Sequence, residues 1–367
     1  MMDFWIIKIL MQKTGGRMEK VLNTVLEEQG DFNMPSVRMK MIKSYDEFFD
    51  AAENGLLKNS CLLFAVEIPQ DGINIESYRI LKYLQGCDKD ILSGSAGSII
   101  VDGQSDLYTK DIGRRFIFAA NSRGCTFPGK PLVEATVSLS NFKVLADLWN
   151  MDLREAYVKS CGLLIEKLLN FKFIKYDNPH ILVIHASNKG VSNSLKLWEM
   201  VEDNLSGKAQ IEEISIRNGQ VWDCRGCKYE DCFHFGEKGD CFYGGVMVEK
   251  VYPAIIKCDL LVLICPNYND SVSANIMAFI NRLTSVFRAN DFSSKCVYAV
   301  VVSGYSGSDI VVQQIIGAIN VNKNFILPSR FALMETANSP GEIDGIDGIK
   351  ERAKDMAERI ISYGRGI

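Results

Sequence analysis

Apolar runs and helical periodicities alternate through the second half of the chain. Residues 181–186 (ILVIHA), 260–265 (LLVLIC) and 297–302 (VYAVVV) are continuous apolar runs, the pattern of strands buried on both faces of a parallel sheet. Residues 211–216 read as a further strand and 325–327 as a short one. Between them, apolar side chains recur at helical spacing, as with Leu195, Leu197, Trp198, Val201 and Leu205 in 192–205. Similar faces occur at 246–257, 272–287, 311–319 and 349–363. This alternation predicts βαβ units, an α/β fold and a doubly wound parallel sheet. The loops after the strand C-terminal ends should then form a ligand crevice.

The first half is less regular. It predicts strands at 62–66, 97–102 and 131–136 and helices at 75–84, 110–121 and 152–169. Residues 1–11 (MMDFWIIKILM) are apolar but carry Asp3 and Lys8 and lack a signal peptide's basic start and small-residue cleavage site. Residues 1–17 read as an over-long start or a short amphipathic helix. The expected organisation is an N-terminal extension (1–33), an α/β domain of unassigned role (34–177) and a second α/β domain (178–367). A faint echo links the halves. Phe127-Pro128-Gly129-Lys130 before an apolar run and Ser138 resembles Phe292-Ser293-Ser294-Lys295 before 297–302 and Ser303. That register sets 99–101 against 264–266 and makes the first half a degenerate repeat of the second, although any two βαβ segments can look alike.

With 367 residues the chain has room for two domains, and 47% hydrophobic and 23% charged residues are ordinary for globular proteins. A net charge of −4 gives no basic surface for nucleic acid or an anionic membrane, and no apolar run reaches the ~18 residues of a membrane span. Four of the eleven cysteines crowd into 224–241; the rest are scattered. An odd count with one cluster suits a reducing cytoplasm and a single metal or redox site better than a secreted disulfide scaffold.

Three loops of the second half carry candidate chemistry. Ser187-Asn188-Lys189-Gly190-Val191-Ser192-Asn193-Ser194 joins a strand to a helix. Its hydroxyls, lysine and helix N-terminus suit a phosphate, though Ser and Asn are also ordinary N-caps. Cys265-Pro266-Asn267-Tyr268-Asn269-Asp270-Ser271 follows the most apolar strand. An aromatic beside small polar groups there suits a planar heterocycle, or else Tyr268 simply covers the core. In Ser303-Gly304-Tyr305-Ser306-Gly307, glycines allow close backbone approach to a ligand. The three loops following successive strands carry more weight than any one alone. No G-x-G-x-x-G fingerprint follows a strand.

Cys224, Cys227, Cys232 and Cys241 have the spacing Cys-x2-Cys-x4-Cys-x8-Cys. Thiolates suit iron–sulfur clusters or zinc. Structural zinc more often uses two Cys-x2-Cys knuckles, and only one is present, so a cubane cluster, zinc and an empty loop all remain open. His234 lies within the loop as a further candidate ligand or an exposed side chain.

Together these residues resemble the flavodoxin-like NADPH-dependent FMN reductase family, specifically its iron–sulfur flavoprotein branch, over about residues 178–367. The family's first loop matches Ser187, Lys189, Ser192, Asn193 and Ser194, with Ala186 in place of its usual Gly. Its Pro-x-Tyr loop matches Pro266, Asn267 and Tyr268. Its Ser…Phe-x-Asp-Arg helix matches Ser273, Phe279 and Arg282, with Asn281 for Asp and Met277 for a common preceding Lys. Its Cys-rich segment matches the four clustered cysteines at wider spacing. The resemblance implies FMN held by Ser187, Lys189, Ser192, Asn193, Ser194, Pro266, Asn267, Tyr268, Asn269, Ser303, Gly304 and Tyr305. It further implies NAD(P)H as donor, a small-molecule or protein acceptor, a possible [4Fe–4S] centre on the four cysteines and a homo-oligomer. No nucleic-acid or membrane partner is expected. A flavodoxin-fold binding module with a zinc or empty Cys loop and no redox activity is the alternative.

Overall fold

The computed structural model describes residues 2–9, 16–30, 37–174, 176–217 and 221–363. It divides into two compact units, Met1–Phe171 and Lys172–Ile367. Each contains one five-stranded, all-parallel sheet.

The first unit begins with β1 (Met2–Ile9), followed by α1 (Arg17–Gly30), β2 (Val37–Ile42), α2 (Tyr45–Glu53), β3 (Cys61–Ile68), α3 (Ile75–Gly86), β4 (Ala96–Gly103), α4 (Thr109–Asn121) and β5 (Leu132–Ala135). A 3₁₀ turn, α5 (Lys143–Trp149) and α6 (Leu153–Leu169) complete it. The sheet order is β2-β1-β3-β4-β5. β3 and β4 are buried along their whole length, as strands covered by helices on both faces must be. Residues 2–9, within the stretch expected to be an over-long start or a short helix, form a strand. Phe4, Ile6, Ile7 and Ile9 are buried in a strand flanked by β2 and β3, and Met18, Val21, Leu22 and Val25 of α1 share a core with Phe4 and Ile6, so β1 and α1 are part of this unit's fold. The adjacent apolar residues of β1 are all covered because both faces are covered. The expected 33/34 boundary lies outside the described residues. Arg17, opening α1, reaches Asp102 at the end of β4 through Nη2 (2.6 Å) and Nε (2.9 Å) and donates to the Thr136 carbonyl (2.9 Å). The Tyr157 hydroxyl donates to the same carboxylate at 3.2 Å.

The second unit runs β6 (His180–His185), α7 (Asn193–Asp203), β7 (Gln210–Ser215), α8 (Tyr229–Gly236), α9 (Tyr252–Lys257), β8 (Leu260–Pro266), α10 (Ala274–Ala289), β9 (Cys296–Ser303), α11 (Ser308–Ile315), β10 (Ala332–Thr336) and α12 (Ile349–Tyr363). Wider π turns precede α9 (Met247–Val251) and follow α11 (Ile316–Val321). The sheet order is β10-β9-β8-β6-β7. The expected strand at 325–327 is one bridge, Cys296 to Ile326, and the edge strand lies further on at β10. Pro328 interrupts the run between them, lacking the N–H a ladder needs.

Renumbered within each unit, both sheets read 2-1-3-4-5, the flavodoxin-like order whose switch point lies between the first and third strands. The register repeats as well. Ala96 bridges Thr126 as Cys296 bridges Ile326, and Ile99 pairs with Leu132 as Ala299 pairs with Ala332. The repeat is thus offset by 200 positions in this segment, and β4 corresponds to β9. The register read from 127–130 and 292–295, which set β4 against β8, is one strand out. It matched the turn leaving one helix with the turn leaving another, and both turns precede an apolar run.

Candidate functional site

In the second sheet the ends of β6, β8 and β9 lie side by side, with the switch point between β6 and β8. Their three loops therefore emerge together.

The first loop begins at His185, which is fully buried. Its Nδ1 accepts the Ser187 N–H at 3.3 Å, and its Nε2 faces Glu213 Oε1 on β7 at 3.4 Å. Lys189 Nζ sits 2.6 Å from the same oxygen. Burial holds the His185 pKa below its usual value, Glu213 opposes that shift, and Lys189 reinforces it. Ser187 is 4% exposed and its Oγ has no partner among the described residues. Buried hydroxyls are normally hydrogen-bonded, so this one marks a place for a ligand or water. Gly190 turns the loop at φ +96. Ser192 caps α7 by accepting the Leu195 N–H at 3.3 Å and lies 2.9 Å from Ser194 Oγ. Asn193 faces the other way. Its Nδ2 donates to Ala337 O (3.2 Å) and Ser339 O (2.8 Å), and its Oδ1 accepts the Gly341 N–H (2.9 Å).

The second loop leaves β8 at Pro266. Asn267 Nδ2 donates to Ser303 Oγ (3.0 Å) and Ser306 O (2.8 Å), while its Oδ1 is buried without a partner among the described residues. Tyr268 and Ser271 exchange both backbone hydrogen bonds at 3.1 Å. Between them Asn269 and Asp270 stand at φ +53 and +56, a left-handed pair that Asn and Asp tolerate. Tyr268 is 56% exposed. Gln314, which carried no motif signal in the sequence, fixes this turn from α11. Its Oε1 accepts the Val272 N–H (3.2 Å) and its Nε2 donates to Asp270 O (3.0 Å).

In the third loop, Ser303 is buried with its Oγ 2.6 Å from Ser308 Oγ. A Cβ on Gly304 would lie 2.9 Å from Asn338 Oδ1. Tyr305 is 82% exposed, and its hydroxyl accepts from Asn338 Nδ2 at 3.0 Å. The result is a rim of small polar groups carrying two exposed tyrosines, beside a helix N-terminus. Such a rim can take a phosphate at the first loop and a planar ring at the other two.

The Cys-rich segment is seated on α10. Ser285 Oγ donates to Asp240 O (2.6 Å), Asn281 Nδ2 to Asp223 Oδ1 (2.9 Å) and Arg282 Nη2 to Gly244 O (2.9 Å). Arg282 is 2% exposed, yet its Nε and Nη1 have no partner among the described residues. Cys224 and Cys227 are exposed and Cys232 and Cys241 half-buried, all as free thiols. Burial pushes the Cys232 thiol up, Arg288 opposes this, and the other three thiols are near enough to push it further. Among the described residues no three His, Cys, Asp or Glu side chains are arranged as a metal-ligand set. His234 is exposed on α8, beside Lys238 Nζ at 3.1 Å. No described helix is long and apolar enough to cross a membrane.

Comparison with known proteins bears on the second unit. No curated protein matches the chain. Among solved structures, RosB with bound 8-demethyl-8-formylriboflavin-5'-phosphate is 13% identical, with a TM-score of 0.38 over 51% of this chain and 79% of its own. The Trp repressor binding protein of Bacillus subtilis is 18% identical (TM-score 0.32; 48% and 96% covered). An FMN-dependent NADH-azoreductase of Bacillus anthracis, in complex with FMN, is 10% identical (TM-score 0.35; 50% and 99% covered). By sequence, residues 179–338, from the strand before the first loop to Asn338 beside the third, match the family of NADPH-dependent FMN reductases.

Proposed function

We propose that the second unit binds FMN across the three strand-end loops and that the protein is an FMN-dependent oxidoreductase drawing on NAD(P)H. The carrying observation is the orphaned, buried Ser187 Oγ at the foot of the first loop, within the segment that matches the FMN reductase family. Ser187, Lys189, Ser192 and Ser194 would hold the phosphate; Asn193 braces the helix behind them. Pro266, Asn267, Tyr268, Asn269, Ser303, Gly304 and Tyr305 would border the ring. Bound FMN supplies the hydride and electron chemistry, so no catalytic acid or base is needed from the chain. The residues' work is to neutralise the phosphate, orient the ring and limit water at its inner edge. A small-molecule or protein acceptor and a homo-oligomer complete the reading.

A second element of the proposal is a metal–thiolate centre of [4Fe–4S] type on Cys224, Cys227, Cys232 and Cys241, four thiols that are not arranged as a ligand set among the described residues. A buried guanidinium with two unpartnered nitrogens is costly unless an anion lies near, and a cluster held by four thiolates supplies one. Zinc would satisfy the same charge argument, and metal analysis separates the two.

The test is an absorbance spectrum of anaerobically purified protein, followed by FMN titration and an NADH and NADPH oxidation assay. Flavin bands, or saturable binding of added FMN, with pyridine-nucleotide turnover are expected. A colourless protein that binds no added FMN overturns the reading.

A further inference from the structure

Two groups that the first loop would offer to a phosphate already have partners, and both partners lead to one imidazole. The Ser187 N–H is held by His185 Nδ1 at 3.3 Å. Lys189 Nζ is held by Glu213 Oε1 at 2.6 Å, and that oxygen is also 3.4 Å from His185 Nε2. In this arrangement His185 is neutral by geometry, because a ring nitrogen that accepts an N–H carries no proton of its own. Protonating it would release the Ser187 N–H. Moving Lys189 away would leave Glu213 to face His185 alone. Among the described residues the charged groups around His185 are Glu213 from β7 and Lys189 from its own loop, with Glu199 and Glu202 of α7 acting on Lys189.

We propose that binding of a phosphate monoester at this loop is coupled to uptake of one proton by His185. The phosphate takes the Ser187 N–H and the Lys189 ammonium. His185 Nδ1, freed from its donor, accepts a proton from solvent, and the imidazolium pairs through Nε2 with the Glu213 carboxylate that Lys189 has left. No covalent bond changes; one solvent proton moves to Nδ1. The ligand thus pulls the histidine toward its charged form, and by linkage a more alkaline solution opposes binding. The inference rests on FMN being the ligand of this loop, and it makes His185 and Glu213 positioning residues for the phosphate.

The experiment is calorimetric titration of the full-length apoprotein with FMN at pH 8, in buffers of differing ionisation enthalpy, with riboflavin as the ligand lacking phosphate. Net uptake approaching one proton per FMN and none with riboflavin is expected. Between the free and bound titration points of His185, Kd should rise by up to about tenfold per pH unit. His185→Gln should bind FMN without proton uptake, and Glu213→Gln should reduce the uptake. FMN binding with no uptake, or uptake unchanged in H185Q, overturns the coupling and leaves the functional reading intact. Failure of the apoprotein to bind FMN at all overturns both.

Discussion

Gly307 offers a demanding test of how the second and third loops are joined. It stands at φ +87, and a Cβ placed there would lie 2.1 Å from Asp270 Oδ1 and 2.8 Å from Asn267 Nδ2. Asn267 is the joint of the second and third loops through its bonds to Ser303 Oγ and Ser306 O. An alanine at Gly307 meets two penalties. Left-handed backbone costs an L-residue about 1–2 kcal/mol. Displacing the Asn267 amide weakens two hydrogen bonds, each contributing about 0.5–1.5 kcal/mol. Together they come to about 3 kcal/mol. Gly190 supplies the control, because it stands at φ +96 with nothing within 4 Å of its would-be Cβ. Gly190→Ala should therefore meet only the first penalty.

For a unit of this size 1 kcal/mol corresponds to roughly 2–4 °C in Tm. Scanning calorimetry should show Gly307→Ala lowering the transition of the second unit by about 6–12 °C and Gly190→Ala by about half that. Flavin-fluorescence titration should show FMN affinity falling about tenfold or more in Gly307→Ala, since the proposed border of the ring would move. Equal Tm losses in the two variants would refute the steric part of the argument. Unchanged FMN affinity in Gly307→Ala would remove these loops from the ring site.

Arg17→Ala should destabilise the first unit by about 3 kcal/mol in urea unfolding, because Asp102 would stay buried without its cation; Asp102→Asn in the same background should recover part of the loss. His185 gives a pH prediction. Its folded pKa is depressed, so the unfolded chain binds a proton first and apoprotein stability should fall as pH drops below about 6.5 toward the folded value; His185→Gln should flatten that limb in thermal unfolding at pH 5–8. Cys224→Ser with Cys227→Ser should abolish iron and acid-labile sulfide while leaving FMN content unchanged, and equal metal content in the variant would reject the proposed ligands. Asp152→Ala should cost about 1 kcal/mol by removing the reciprocal cap with Glu155 that starts α6, measurable by urea unfolding.

The second sheet was legible because its strands are buried on both faces and announce themselves as unbroken apolar runs, as at β8 and β9. Helix α12 was legible to the residue because an exposed amphipathic helix keeps a clean periodicity. β10 was not, since an edge strand of alternating burial is short and its Glu335 and Thr336 resemble loop. β1 was lost for another reason. Asp3 and Lys8 break its apolar run, yet Asp3 is matched by Lys40 at 2.7 Å across to β2, a pairing between residues far apart in sequence. In the loops the sequence displayed Ser187, Lys189 and Tyr268, which have recognisable chemistry. It could not display Gln314 or Glu213, whose roles come from the elements that carry them to the loops.

The likeness of the two units shows the same limit from the opposite side. Apolar identity in a buried strand says little, because any β-branched or aliphatic residue serves. The backbone geometry repeats where residue identities do not. Thr126 N–H bonds to Ser95 O and Ile326 N–H to Lys295 O, both at 2.8 Å, and Lys130 and Arg330 both turn at positive φ. Asn121 and Asn320 each donate to a carbonyl shortly downstream, at Cys125 and Phe325, fixing the same turn. What differs lies at the strand ends. The helix after the first strand opens with Asn193 in the second unit and with Arg17 in the first. Both reach the loop after the fifth strand, through Ala337 O and Val137 O. Only Arg17 also binds a buried carboxylate, Asp102, whose counterpart by register is the apolar Val302. Two copies of one backbone therefore reach the same strut with different chemistry, one joined by a neutral amide and the other by an internal ion pair. The scaffold constrains where the loop is tied and leaves open which groups face it, so a candidate site must be read from its side chains rather than from its fold.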